Sequence, residues 1–108
     1  MSTRHAAELE VRCPYRRAFD VAVRVVAEDL DDMTLRTADP DSGLIMATTP
    51  IGVVSWGEDV EVRVWPSGPG TSAIGVESAL KFGLVDWGRN RRNVDRVVAG
   101  INVALTVA

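Results

Sequence analysis

The feature that most constrains the fold is a series of short alternating runs separated by turn residues. In residues 59–65, DVEVRVW, apolar and charged side chains alternate with the period of two that is typical of a half-buried strand. The segments DPDSG (39–43) and PSGPG (66–70) carry the Pro and Gly that suit hairpin turns. Strand-like runs of this kind occupy residues 8–13, 33–37, 44–49, 59–65 and 71–79. Short turns between the last four predict an antiparallel meander.

Two other segments show the period of a helix. Between Tyr15 and Leu30, apolar residues recur at intervals of three and four positions. A second helix is predicted to begin near Asp86, which suits the N-cap position. The buried stripe of this second helix is predicted to be Val94, Val97, Val98, Ile101 and Leu105.

These elements together predict a single α+β domain over residues 8–108. We expect two layers: an antiparallel meander sheet of four to five strands, with two helices on one face, in the order strand, helix, four strands, helix. The charged start of the chain, residues 1–7, is predicted to be a flexible N-terminal tail.

Composition excludes several classes of function. The chain has 108 residues and a net charge of −3, whereas a general nucleic-acid-binding protein would need an excess of Lys and Arg. No run approaches the ~18 apolar residues of a membrane span, and the N-terminus lacks the apolar stretch of a secretory signal. We therefore expect a cytoplasmic protein without a membrane span or a nucleic-acid partner.

Residues able to carry out catalysis are scarce. His5 is the only histidine and falls in the predicted tail, so a Ser-His-Asp or Cys-His arrangement lacks a positioned base. Cys13 is the only cysteine, so a zinc site lacks ligands, and the strand alternation predicts that its thiol is buried and inert. We expect a protein that is not an enzyme and holds neither metal nor cofactor.

Two predicted loops are unusually apolar. Segments 50–56 (PIGVVSW) and 81–87 (KFGLVDW) are interrupted by Pro or Gly, yet loops that run over a surface are normally polar. Such loops cap a core or form a patch for another subunit or a ligand. The residues that would do so are Ile51, Val53, Trp56, Phe82, Leu84 and Trp87.

Two functions follow from these loops. The first is a noncatalytic interaction module that associates with itself, or with another protein, through loops 50–56 and 81–87. The alternative is a carrier of a small apolar molecule or lipid, with a cavity between sheet and helix whose mouth the loops border.

The last predicted helix carries a row of arginines. Arg89, Arg92 and Arg96 share the side opposite its apolar stripe, which favours a solvent-facing surface. Two other interpretations remain: an anion site at the helix N-terminus, and docking of an acidic partner. Asn90 falls on the apolar side instead. It is predicted to bond the backbone of the preceding loop or an adjacent strand, because a buried amide must satisfy its hydrogen bonds.

The segments 43–49, 58–64, 76–79 and 83–92 together resemble the bacterial family known as domain of unknown function 1499. The most specific of them is GLVDWGRNRR (83–92), of the form G-x-x-D-x-G-x-N-x-R. The family's Asp, Gly and Asn positions match Asp86, Gly88 and Asn90. The resemblance implies a small α+β domain, with no enzymatic activity established for the family and no catalytic role for these three residues.

Overall fold

The computed structural model describes residues 4–50, 57–80 and 88–107 and has the predicted α+β architecture. Its second helix is nearly twice as long as the first, which continues into a π-helical turn, Val25–Asp29. The elements are β1 (Arg4–Val11), α1 (Tyr15–Arg24), β2 (Thr34–Asp39), β3 (Leu44–Thr48), β4 (Glu58–Gly68), β5 (Thr71–Leu80) and α2 (Arg89–Val107).

The strands form one five-stranded antiparallel sheet in the order β1-β5-β4-β3-β2. Strands β2 to β5 are a meander, as the turn residues predict. The first strand pairs with the last and forms the far edge of the open sheet. The predicted antiparallel meander is therefore confirmed.

The first strand begins earlier than predicted. Residues 4–7 were assigned to a flexible tail, but they pair with residues 76–79 of β5, and the prediction is wrong for them. The sequence RHAA does not alternate in polarity. Pairing with a long neighbouring strand decides its conformation, because strand formation depends more on tertiary context than on local propensity.

The core lies between the sheet and the two helices. One face of the sheet contributes Val60, Val62, Val64, Ile74 and Val76, each at most 3% exposed. Against this face lie buried residues of both helices: Ala18, Phe19 and Ala22 of α1, and Val94, Val97 and Ile101 of α2. Cys13, just after β1, is buried as predicted. Of the helices described, neither is both long and apolar enough to cross a bilayer.

Candidate functional site

Polar side chains collect inside one end of the sheet-helix layer. Thr49 follows β3, Glu58 opens β4 and Ser78 lies near the end of β5, and all three are buried. The first turns of α2 bring Arg89, Asn90 and Asn93 against them. We call the six residues Thr49, Glu58, Ser78, Arg89, Asn90 and Asn93 the Glu58 cluster.

Glu58 has no exposed surface and lies on the inward face of β4, in step with Val60 and Val62. Its Oε1 accepts hydrogen bonds from Thr49 Oγ1 at 2.8 Å, Asn93 Nδ2 at 3.0 Å and Arg89 Nε at 3.2 Å. Arg89 Nε also lies 3.2 Å from Oε2. A carboxylate only accepts hydrogen bonds, so these donors satisfy the buried Glu58 oxygens.

Gly57 allows the start of β4 to approach the end of β3 closely. Its φ is +93°, and a Cβ there would lie 2.5 Å from the carbonyl oxygen of Thr49. Thr49 and Glu58 also bond through the backbone, with the Thr49 amide donating to the Glu58 carbonyl at 3.0 Å. The glycine therefore lets Thr49 reach the buried carboxylate.

The two asparagines connect the carboxylate to the sheet. Asn93 Nδ2 donates to both Glu58 Oε1 and Ser78 Oγ, the latter at 3.1 Å, and Ser78 donates to Asn90 Oδ1 at 2.8 Å. Asn90 is predicted to bond the backbone of the preceding loop or an adjacent strand, and in the structure it accepts a hydrogen bond from the Ser78 side chain of β5. Buried amides satisfied in this way fix how α2 enters the layer.

Arg96 extends the network out to the surface. Its Nη2 donates to Asn93 Oδ1 at 3.0 Å, while Nη1 and Nη2 hold the two carboxylate oxygens of Asp32 at 2.8 and 3.1 Å. The hydrogen bonds from Arg96 lower the pKa of Asp32 below its ordinary value of 3.8. The Asp32–Arg96 ion pair thus joins the segment before β2 to the middle of α2.

The arginine row is not the uniform solvent-facing surface that the helical period predicts. Arg92 is exposed, but the Arg89 side chain is only 24% exposed beside Glu58, and that of Arg96 is 34% exposed beside Asp32. The prediction is wrong for these two, because the sheet end and the segment before β2 flank this side of α2. The anion-site hypothesis stays a prediction, with two of its three arginines already facing carboxylates.

The residues predicted to form the apolar patch, namely Ile51, Val53, Trp56, Phe82, Leu84 and Trp87, lie outside the described residues. So does Asp86, whereas Gly88 precedes α2 with a φ of +78°. The residues that flank both segments are described. Thr49 and Glu58 lie in the cluster, Leu80 pairs with Glu58, and the Gly88 carbonyl accepts a hydrogen bond from the Arg92 amide in the first turn of α2.

Sequence reasoning missed the centre of the cluster. Extending the β4 alternation back from Val60 places Glu58 on the inward face, a signal that is present in the sequence. The same alternation places Ser78 in step with Ile74 and Val76 on the inward face of β5. That Ser78 and Asn93 meet Glu58 has no local signal, because it depends on how β5 and α2 pack together. Nor does the sequence indicate that Asp32 faces Arg96.

Other features bear on what the described residues can bind. Within the described ranges, no group of three or more His, Cys, Asp or Glu side chains is placed to hold a metal ion. An open groove of about 490 Å³ lies between the end of α1 and α2, where Leu30, Ala99, Gly100 and Val103 contribute apolar surface. A second groove, of about 410 Å³, lies along the outer face of the sheet beside Trp65.

No protein-family model matches the chain, and no curated protein matches it in sequence. Solved structures do match in fold. One is an uncharacterized protein from Bacillus thuringiensis, with a TM-score of 0.66 and 8% identity over 94% of this chain and 95% of that one.

A second match is the di-domain ARO/CYC protein BexL from the BE-7585A biosynthetic pathway, with a TM-score of 0.65 and 13% identity. The alignment covers 94% of this chain but 44% of BexL. A third is a START superfamily protein from Mycobacterium smegmatis, with a TM-score of 0.57 and 11% identity over 94% and 93% of the two chains. At such low identity these matches establish the shared fold alone.

Proposed function

We propose that the protein binds a small, largely apolar molecule that carries a carbonyl or hydroxyl oxygen. The ligand would enter at the end of the sheet-helix layer that holds the Glu58 cluster. The observation that carries this proposal is the buried Glu58 carboxylate, which fixes the partly exposed Arg89 where both apolar segments join the described chain.

The chemistry of Arg89 suggests the polar group of the ligand. Both of its contacts with Glu58 use Nε, so we assign the terminal Nη groups to a ligand oxygen. Glu58 already balances the arginine charge. A neutral oxygen acceptor therefore suits this position better than a second full negative charge.

The apolar part of the ligand would contact the segments 50–56 and 81–87, whose composition is unusual for loops. Small-molecule sites generally combine apolar walls with a few well-placed polar groups, and the Glu58 cluster supplies such polar groups where both apolar segments join the described chain. The shared fold supports the proposal, because one matched protein, BexL, is by its name a di-domain ARO/CYC protein of a biosynthetic pathway.

The proposal is tested with Nile red, a neutral apolar dye that carries a carbonyl group. We expect the protein to bind it with a rise in dye fluorescence. Arg89→Lys keeps the charge beside Glu58 but removes the guanidinium fork. Loss of one hydrogen bond, worth about 1 kcal/mol, should weaken dye binding roughly fivefold.

Arg92→Lys is the matched control, since Arg92 is exposed on the same helix. Its dye affinity should equal that of the wild type. Equal affinities for all three proteins would contradict the role of Arg89. Absence of dye binding, together with no co-purifying small molecule in native mass spectrometry, would refute the proposed function.

Two further variants locate the dye. Trp65 is 39% exposed on the outer face of the sheet, so Trp65→Phe leaves Trp56 and Trp87, of the three tryptophans, as reporters. We expect their emission to change when the dye binds. Ala99→Trp obstructs the groove between the helices and should leave binding unchanged; loss of binding there would place the ligand in that groove instead.

A further inference from the structure

The two edge strands of the sheet differ in how well they could pair with another strand. At one edge, β1 pairs with β5 through eight consecutive residue pairs from Arg4 to Val11. At the other edge, β2 is shorter and its pairing with β3 shifts register between Leu35 and Thr37. A bulge of that kind twists an edge strand and discourages pairing with other chains.

We infer that β1 is the interface through which two copies of this chain join, edge to edge and antiparallel, into a continuous ten-stranded sheet. The side chains of Arg4, Ala6, Glu8 and Glu10 lie on the outer face of this strand and are exposed. Their order along β1 is complementary to itself when a second copy runs in the opposite direction.

Charge selects one register. Residues directly opposite each other in an antiparallel pair share a face, so the two sheets stay continuous only in registers that set outer residues against outer ones. Two such registers overlap over seven residues of β1. Centring the pair on Glu8 would oppose two Glu8 carboxylates, which is destabilising.

Centring the pair on Ala7 instead sets Arg4 opposite Glu10 of the second copy, and the twofold symmetry repeats this contact. Ala6 then faces Glu8, and the two Ala7 side chains meet at the axis. Arg4 also pairs with Glu77 of its own chain at 3.7 Å, with both side chains well exposed. An exposed ion pair of that kind is weak, so this contact with Glu77 does not prevent Arg4 from interacting with the second copy.

An interface built on one strand is small and belongs to the weak, reversible class. We expect sedimentation equilibrium to show a monomer that becomes a dimer as protein concentration rises through the micromolar range. Arg4→Glu and Glu10→Arg each convert two attractive contacts into repulsive ones. Each should weaken dimerisation roughly tenfold or more.

The double variant Arg4→Glu/Glu10→Arg restores opposite charges across the axis and should restore dimerisation. Arg36→Glu, on the opposite edge strand β2, is the matched control and should leave the dimer unchanged. Circular dichroism confirms that each variant is folded.

A cross-link tests the register directly. In a Cys13→Ala background, Ala7→Cys should form a disulfide between two copies under mild oxidation, because residues at the axis lie close enough for one. Glu8→Cys should form much less of the disulfide between copies, because the Cα atoms of the two residues 8 are farther apart in this register than those of the two residues 7.

Three results would overturn the inference. One is a protein that stays monomeric up to millimolar concentration. Another is a dimer that neither Arg4→Glu nor Glu10→Arg weakens, which would place the contact on another surface, such as the apolar segments. The third is preferential cross-linking through position 8. None of these results depends on whether Nile red binds.

Discussion

At the scale of single residues, the main feature is a charge buried among polar groups. Glu58 has no exposed surface and is surrounded by donors from β3 and α2. Burying a carboxylate is costly, and removing one partner leaves the remaining groups unsatisfied. The cluster therefore favours one position of α2 on the sheet.

Asn93 is the residue that most directly tests this view. Asn93→Ala removes bonds to Glu58, Ser78 and Arg96, and should lower the free energy of unfolding by about 1–3 kcal/mol. Urea denaturation measures the change. Asn102→Ala, an exposed position of the same helix, should change it by less than about 0.5 kcal/mol. Equal effects of the two substitutions would mean that the cluster adds no stability.

At the scale of elements, α2 packs closely against the π-helical turn. Val25 is fully buried, and a Cβ added at Gly100 would lie 2.7 Å from Val25 Cγ1. Glycine costs a helix about 1 kcal/mol relative to alanine, so its presence in α2 opposes helix propensity. The close approach of the two helical segments explains it.

Gly100→Ala should therefore destabilise the protein despite its better helix propensity. A Cβ at 2.7 Å forces the neighbouring atoms to move, so we expect the overpacking cost, about 1–3 kcal/mol, to exceed the helix-propensity gain of about 1 kcal/mol. Val25→Ala makes room for the new methyl group. The double variant should then lose less stability than the sum of the single losses, by at least ~0.5 kcal/mol in urea denaturation. Strict additivity would show that the two positions do not interact.

At the scale of the whole molecule, contacts between distant parts of the chain fix the positions of the elements relative to one another. β1 pairs with β5 at the edge of the sheet, and the Asp32–Arg96 pair joins residues 64 positions apart. The strength of the Asp32–Arg96 pair depends on pH, because hydrogen bonds from Arg96 lower the pKa of Asp32 below 3.8. The contribution of the pair to the free energy of unfolding is present above pH 3.8 and is lost as pH falls through the lowered pKa of the folded state.

Comparison with Asp32→Asn isolates this contribution. Near neutral pH the wild type should be more stable than the variant by up to ~1 kcal/mol, since the pair is partly exposed. The difference should shrink in urea titrations carried out below pH 3.8. Asp31→Asn, at the exposed neighbouring position, should show a smaller difference. If the difference in the free energy of unfolding between the wild type and Asp32→Asn did not change with pH, the proposed contribution of the Asp32–Arg96 pair would be excluded.

The sheet could be predicted well because its signals are local. Alternation in residues 59–65 and turn chemistry in 39–43 and 66–70 each act over a few neighbouring residues. The candidate site could not be predicted in the same way. Glu58 and Asn93 are 35 positions apart, and only the docking of α2 on the sheet brings them together.

The amino-acid sequence by itself determined the kinds of elements and their order, because polarity patterns select strand or helix within short stretches. Only the tertiary structure decided that residues 4–7 belong to the sheet and that Arg89 and Arg96 face carboxylates. These outcomes depend on contacts between residues far apart in the sequence. A buried charge is costly unless it is paired, and only the folded chain brings the two partners together.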